Sequence, residues 1–559
     1  FFAQSIMKAI LRKGVRYWHT LRYLRSTQIV GRFQYFFRSP EIDYSPAGTI
    51  RFVSGNWIMP ARCGQTMLTE RSFCFLNETH QITSADDWNN KQWAKLWLYN
   101  LHYFDDLCAI DADQRADWHR TLIDCWIDEN PPGKGIGWEP YPSSLRIVNW
   151  IKWALAGNLM EERWLQSLVL QVRFLVQNLE THLMGNHLFA NAKALVFAGS
   201  YFEGDEAKIW QQKGYKLIEQ ELAEQLLADG GNFELSTMYH MIFLEDLLDL
   251  TNLHCVYGDP VLDGFEDSIS SMYNWLAVMC HPDGEISFFN DAALGITPSV
   301  SEIREYGARL LGSDKLLPSN DEFDVNYFVD LPFTGYSRVQ MGTMVAIVDR
   351  AAIGPDYLPA HAHADTLSFE LSLFGQRVVV NSGTSVYGSD ADRQQERATA
   401  AHSTVVIDGQ DSSEVWSGFR VARRARVFDC SVRRLKDVVR LSACHDGYKR
   451  LPGEPVHCRE WLFEEGLMTI IDTITGTGSH KAESVLPLHP EVKVRALEEN
   501  KAILEIVGNN IVVKVDGNGQ LNDVKSSYHP EFGLSVESRK LVYCINKVLP
   551  IEIITRIRW

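Results

Sequence analysis

Between about Asp86 and Gly312 the apolar residues recur at helical spacing. Trp93, Leu96, Trp97, Leu101 and Phe104 form the first stripe, and amphipathic segments follow at Trp118–Ile127, Ser143–Leu155, Trp164–Leu183, His187–Tyr201, Ala207–Leu227, Tyr239–Leu253 and Ile269–Met279. Pro and Gly punctuate the joints at Pro131-Pro132-Gly133, Gly157, Gly185, Gly230-Gly231, Asp259-Pro260 and Pro282-Asp283-Gly284. Helices in series with short joints pack as antiparallel neighbours, so the pattern predicts a ring or solenoid of helical hairpins. After about Asp330 the period shortens. β-rich runs appear at Thr343–Val348, Leu367–Leu373, Arg377–Val380, Thr404–Ile407, Met468–Thr473, Ala502–Val507 and Ile511–Val515, with Gly508-Asn509-Asn510 as a hairpin signal. The pattern predicts a multidomain α+β chain: an arm and lead-in segment over 1–85, a helical domain over 86–325 and an antiparallel β-sandwich domain over 326–559. A linker is expected near Leu317–Thr334, where Pro318, Ser319, Asn320 and Pro332 fall.

Composition narrows the classes. The chain has 559 residues, 45% hydrophobic and 22% charged, as in ordinary globular proteins. A net charge of −17 argues against nucleic acid as a partner, because backbone binding needs a basic surface. The charge is uneven: residues 1–40 hold eight Lys or Arg and no Asp or Glu. The amphipathic arm Ile10–Phe37 is either a helix packed on the acidic body or a contact for a membrane surface or anionic polymer. The chain has no apolar run of about 18 residues, so no transmembrane helix is predicted. The basic N-terminus lacks the continuous apolar stretch of a signal peptide, which leaves cytoplasmic and periplasmic locations both open. Ten Cys without a C-x-x-C pair read mostly as buried thiols. Ten of the 16 Trp fall between Trp57 and Trp164, as core packing or as a surface for stacking sugar rings.

Five clusters could carry chemistry. In Gly185-Asn186-His187, Asn186 is expected to cap a helix whose N-terminus favours an anion such as a carboxylate. In Asp229–His240 a turn precedes a helix beginning near Ser236. Tyr239 and His240 lie in its first turn, where the helix end should lower a phenol's pKa somewhat. His361, His363 and Asp365 alternate just before a strand and would share one face. Asn381, Tyr387, Arg397 and His402 follow, and Asn381 and His402 could complete a ligand set with His363. Gly137-Trp138-Glu139-Pro140-Tyr141, leading to Arg146, suits an acidic sugar through ring stacking and charge pairing. Nucleotide-binding and nucleophile-elbow motifs do not stand out.

Taken together and in this order, these clusters resemble the heparinase II/III superfamily of polysaccharide lyases, over about Trp93 to Thr473. The resemblance implies an N-terminal (α/α) toroid, a C-terminal antiparallel β-sandwich, and β-elimination on a uronate-containing acidic polysaccharide. It implies that Asn186, helped by His187, binds the uronate carboxylate and that Tyr239 protonates the leaving oxygen. His361 or Tyr387 would take the C5 proton. Trp138, Arg146, Glu234, His240 and Arg397 are the candidate substrate contacts. His363, Asn381 and His402 fall where relatives place three metal ligands, zinc first among them. Those relatives usually carry Asp where this chain has Asn381. No organic cofactor is expected. Two other functions stay open: a non-catalytic or biosynthetic polysaccharide-handling protein on the same scaffold, and a toroid glycoside hydrolase drawing a carboxylate pair from Glu139, Glu234 and Asp291.

Overall fold

The computed structural model describes residues 13–259, 262, 264–312 and 326–559. Lys8, Arg12, Pro260, Pro318, Ser319 and Asn320 lie outside the described residues. The N-terminal arm forms two helices, α1 over 13–21 and α2 (Ser26–Phe37). A three-stranded sheet, Met67–Thr69, Ser72–Phe75 and Glu78–Gln81, then leads into the helical domain. Its strands are too short to leave a visible alternation, which is why the pattern of apolar positions gave no sign of them.

The helical domain comprises α3 (Lys95–Tyr103), α4 (Ala116–Glu129), α5 (Pro140–Leu155), α6 (Glu162–Gln177), α7 (Gly185–Tyr201), α8 (Asp205–Gln225), α9 (Thr237–Tyr257), α10 (Phe265–Met279) and α11 (Val300–Leu311). α5, α7 and α9 are buried along most of their length, whereas α4, α6 and α8 bury one face. A helix buried on most sides needs neighbours on each of them, and an amphipathic helix, apolar on one face, supplies that cover. The result is an inner row, α3, α5, α7 and α9, packed in succession, with α4, α6, α8 and α10 outside. The Trp cluster is mainly the core of this arrangement: Trp88, Trp97, Trp126, Trp150 and Trp164 are fully buried.

The β domain starts at Asn326. One sheet runs Val427–Leu435, Val438–His445, Val456–Glu464, Leu467–Thr475, Ile551–Arg558, Asn509–Asp516, Lys501–Ile506, Lys493–Glu498. The other runs Gln520–Tyr528, Val536–Val548, Ser479–Leu488, Gln376–Val379, Phe369–Leu373, Met344–Asp349, Tyr336–Met341, Asn326–Leu331, with Val405–Ile407 also pairing to Ser479–Leu488. The strands of both sheets pair antiparallel, and the two inner faces share one core, with Val348, Phe369 and Leu371 against Leu441, Trp461 and Ile553. A short helix, α12 (Ala391–Arg397), is inserted between strands. One cysteine expectation changes here. Cys444 and Cys458 face each other on neighbouring strands and form a disulfide, and of the eight thiols only Cys280 is buried.

The two domains are joined by a core of their own, in which Leu235, Trp275 and Phe289 meet Leu331, Tyr336 and Ile347. His281, just past α10, bonds to Ser372 Oγ at 2.7 Å and Glu370 Oε2 at 2.8 Å on the facing strand. Apolar burial with satisfied polar bonds across the seam fixes the domains against each other. Whatever the helical and β loops bring to that seam is therefore held in one geometry.

Candidate active site at the domain seam

The seam gathers the loop of His361 and His363 and the helix α12 around one carboxylate. Asp291 is fully buried. It accepts from His361 Nδ1 at 3.0 Å, from His363 Nε2 at 2.8 Å and from both terminal nitrogens of Arg393, one of them at 2.7 Å. Burial alone would raise its pKa, but Arg393 and the two imidazoles outweigh burial and hold it well below the usual carboxylate range. Sequence reasoning named Asp291 only as a hydrolase carboxylate and did not name Arg393. His361 and His363 do converge, but through Asp291, because 357–368 is irregular chain and the strand begins at Phe369. Asp365 turns aside to accept from the Asn290 backbone N–H at 3.2 Å.

Asn290 stitches the loops together. Its side chain donates to Leu235 O at 2.8 Å and accepts from His363 N–H at 3.1 Å. Asn290 and Leu235 both adopt positive φ, 58° and 60°. For Leu this conformation is strained, and such strain persists only where the surroundings over-determine it.

Tyr239 and Tyr387 meet across the seam. Their hydroxyl oxygens lie 3.0 Å apart, and the Tyr239 ring packs on His361 with centroids at 3.8 Å. α9 begins as expected, with Ser236 Oγ accepting from Tyr239 N–H at 3.2 Å. The expected lowering of the phenol is overturned. Burial, then Tyr387 and Asp291, push Tyr239 well above its ordinary value, and burial does the same to Tyr387. Both phenols are therefore protonated. Phe419, Phe532 and the Arg393 guanidinium, 5.0 Å from the ring centre, fix Tyr387.

On the helical side α7 starts at Gly185, one residue before the predicted start, so Asn186 sits in the first turn rather than at the cap. Its backbone N–H donates to the buried carboxyl of Glu234. A Cβ at Gly185 would lie 2.9 Å from Glu234 Oε1, so only glycine admits this approach. The free donors of the helix end are thus partly met by the protein's own carboxyl, while the half-buried Asn186 side chain has no hydrogen-bond partner among the described residues. Glu234 Oε2 lies 3.3 Å from His361 Nε2, and burial raises the Glu234 pKa. His187 packs on Tyr141 with centroids at 4.4 Å. Burial opposes its charge, but Glu180, 3.2 Å away, raises its pKa.

Four candidate substrate contacts prove structural. Trp138 is buried and donates to Asn130 O, while its loop neighbour Tyr141 faces His187 instead. Arg146 is fully buried over the Trp126 ring and donates to His102 O, Gly137 O and Gln171 Oε1. His240 is buried against Trp275 and bonds to Met272 O, and burial lowers it to about 3. Arg397 is buried and donates to the carbonyls of Ala362, Ser417 and Gly418, so it holds the His361 loop rather than a substrate. In each case the polar group is spent on acceptors within the core. Positive charge near the helical side comes instead from Lys95, felt by His187, and from Arg32 and Arg38, felt by His182.

His363, Asn381 and His402 do lie together, in a row. His363 Nδ1 is 3.3 Å from His402 Nε2, and His402 Nδ1 is 2.9 Å from Asn381 Oδ1. His402 faces its two neighbours with opposite ring nitrogens, so the three donors do not converge on one point and do not fit a common ion. The row is instead consistent as neutral hydrogen bonds. As placed, Asn381 Nδ2 is buried without a partner. Turning the amide lets Nδ2 donate to His402 Nδ1, His402 Nε2–H to His363 Nδ1, and His363 Nε2–H to Asp291. Burial lowers His363 to about 4 and His402 well below its ordinary value, in keeping with neutral rings.

A ring of helical hairpins on an antiparallel sandwich, with a Tyr–Tyr–His cluster at the seam, defines a class of scaffold. The heparinase II/III N-terminus model matches residues 90–315, and the heparinase II/III-like C-terminal model matches 324–559. The chain belongs to the heparinase II/III superfamily. It is 24% identical over 401 residues to a heparin-sulfate lyase of Pedobacter heparinus, covering 66% of this chain and 55% of that protein. It is 26% identical over 251 residues to a heparin-sulfate lyase of Bacteroides stercoris, covering 42% and 37%. The chain thus spans about half or less of the length of these relatives. The crystal structure of heparinase III superposes with a TM-score of 0.70 at 18% identity, over 84% of this chain and 79% of that one.

Proposed function

We propose that the protein is a polysaccharide lyase that cleaves a uronate-containing acidic polysaccharide by β-elimination. The observation that carries this is the Tyr239–Tyr387 hydroxyl pair, 3.0 Å apart, with the Tyr239 ring packed on a histidine that a buried carboxylate orients. A C5 proton beside a carboxylate is weakly acidic, so the carboxylate must first be neutralised. The Asn186 side chain and His187 are the groups for that. His361 donates Nδ1–H to Asp291, which leaves Nε2 to take a proton. Glu234 faces that nitrogen, and burial favours its neutral form in the free site.

The step balances without water or nucleophile. The C5–H bond breaks, and its proton passes to His361 Nε2. The electron pair forms the C4=C5 double bond, the C4–O4 bond breaks, and O4 takes the Tyr239 proton. Tyr387, hydrogen-bonded to Tyr239, can return a proton to it. Since both phenols are held protonated, His361 suits the base and Tyr239 the acid. No step uses a metal, and the neutral row from Asn381 to Asp291 supports a metal-independent reading. The glycosidase alternative loses ground because Asp291 is saturated by bonds and Glu139 is engaged by Lys95 and Tyr99.

The names of the relatives make heparan-type glycosaminoglycan the first substrate to try, beside other polyuronates. Elimination leaves an unsaturated uronate that absorbs in the ultraviolet. Absorbance should rise on incubation and stay flat with Tyr239→Phe. Cleavage giving only saturated ends would refute the reading.

A further inference from the structure

The arm is built inside out. α2 meets the body through Gln28, Gly31 and Tyr35, one helical face. Gln28 Nε2 donates to Tyr357 O at 3.2 Å, a Cβ at Gly31 would lie 2.9 Å from His182 Cβ, and the Tyr35 ring packs on His182 at 4.6 Å. Just before it, Arg25 donates to Glu224 Oε2 at 2.9 Å, with its guanidinium 3.6 Å from the Tyr357 ring centre. α1 is anchored similarly, through Tyr17 and Thr20 on Trp416. Polar and small residues thus face the body, and the apolar ones face out. Ile29 and Val30 are exposed, Phe33 and Phe37 are 69% exposed and Phe36 82%, and the Phe37 ring touches the other two. Trp18, at 66%, and Leu21 continue the outward apolar set on α1. Surface helices of globular proteins do the opposite, and contiguous exposed apolar surface marks an interaction site.

Charge selects the occupant. Residues 1–40 carry eight basic and no acidic side chains, whereas the rest of the chain carries a net −25, 46 basic against 71 acidic. A second copy would bring two basic arms together. An acidic polysaccharide would engage the arginines but leave the phenylalanines in water. An anionic lipid surface meets both: headgroups attract Lys and Arg, and Trp, Phe and Leu enter the headgroup–acyl boundary. Among the described residues no helix is long and apolar enough to cross a membrane.

We propose that α1 and α2 form a membrane-surface anchor that lays the outward face of Trp18, Leu21, Ile29, Phe33, Phe36 and Phe37 on an anionic bilayer. The anchor lies beside His182, so docking sets the mouth of the seam close to the lipid surface, suited to a polymer tethered there.

The test is co-sedimentation of the full chain with vesicles of phosphatidylcholine alone and of equimolar phosphatidylcholine and phosphatidylglycerol. Binding to the anionic vesicles is expected to be at least about tenfold stronger and to weaken with salt. The triple variant Phe33→Ser, Phe36→Ser, Phe37→Ser should lose it about tenfold or more, with an unchanged circular dichroism spectrum and unchanged activity on soluble polymer. These side chains are largely exposed and belong to no buried core cluster, so the variant is expected to fold. Absence of binding, equal binding to both vesicles, or wild-type binding by the triple variant would overturn the proposal. So would self-association that the triple variant abolishes while no vesicle is bound.

Discussion

The molecule builds nearly the same polar motif twice. At the seam, Asp291 takes Arg393 on both oxygens and His363 at 2.8 Å, and His402 stands 3.3 Å behind His363. Inside the sandwich, Asp472 takes Arg459 at 2.6 and 3.0 Å and His457 at 2.7 Å, and His445 stands 3.2 Å behind His457. In both, burial is outweighed by the Arg and His partners, and the carboxylate is held well below its usual range. The sandwich copy lies on adjacent paired strands, and Arg459 also reaches the carbonyls of Leu367 and Ser403. It is a brace. The seam copy has one addition, His361, whose second nitrogen is left toward Glu234 and whose ring lies under Tyr239. A buried Asp–Arg–His set is therefore no signature of catalysis. What marks the seam is a further imidazole packed against a phenol that is itself bonded to a second phenol.

The largest effect expected from this contrast is on rate. Tyr239→Phe should lower elimination by between about a hundredfold and ten-thousandfold, the usual contribution of a positioned acid, with the unfolding midpoint little changed. Steady-state rates with a denaturant titration check it, and unimpaired turnover would erase the distinction between the two clusters.

Next comes stability. Asp472→Asn should cost about 3–5 kcal/mol, because Arg459 is left buried and unpaired, yet leave activity per folded molecule near wild type. Asp291→Asn should cost a similar amount and also lower kcat, since His361 loses its orienting acceptor. Urea unfolding alongside active-fraction-corrected rates separates the two.

A smaller effect sharpens the neutral-row reading. Asn381→Asp replaces a donor with a charge that cannot donate to His402, so that variant alone should need a cation nearby. Elemental analysis after dialysis against zinc should find metal raised in Asn381→Asp relative to wild type, and a chelator should lower only the variant's melting temperature.

The smallest effect is on pH dependence. His363, lowered to about 4, and His445 and His457, also lowered by burial, bind fewer protons folded than unfolded. Their contribution is full above the unfolded value of about 6.5 and is lost as pH falls toward the folded values. Asp291 and Asp472, being depressed, keep theirs above the ordinary carboxylate range and lose it only at lower pH. Urea midpoints should therefore fall through mild acid, and His445→Gln should flatten that slope without altering the rate.

Local pattern made much of this protein legible. The amphipathic segments that form α6, α7, α8 and α9, and the change of period near Asp330, were visible because helix and strand periods are written in neighbouring residues. Asn186, His187, Tyr239, His361 and Tyr387 drew attention through local chemistry, and the structure brings their segments to one seam. The misreadings were of a different kind. Arg146, Arg397 and His240 look like substrate contacts because their residue types are polar, but each satisfies core carbonyls contributed by distant residues. Asn290 looks unremarkable in sequence and Asp291 suggests only a hydrolase carboxylate, yet the two organise the site.

The sequence by itself determined the two kinds of secondary structure and their order along the chain, and it displayed the basic arm and the clusters of titratable residues, because each depends on spacing and side-chain type within a few residues. Only the tertiary structure decided which face of the arm is outward, which arginines are structural, and that His361 rather than His457 meets a phenol. Those outcomes depend on burial and on partners tens to hundreds of residues apart, and the free energy of a polar group is set by the partners that surround it once water is gone.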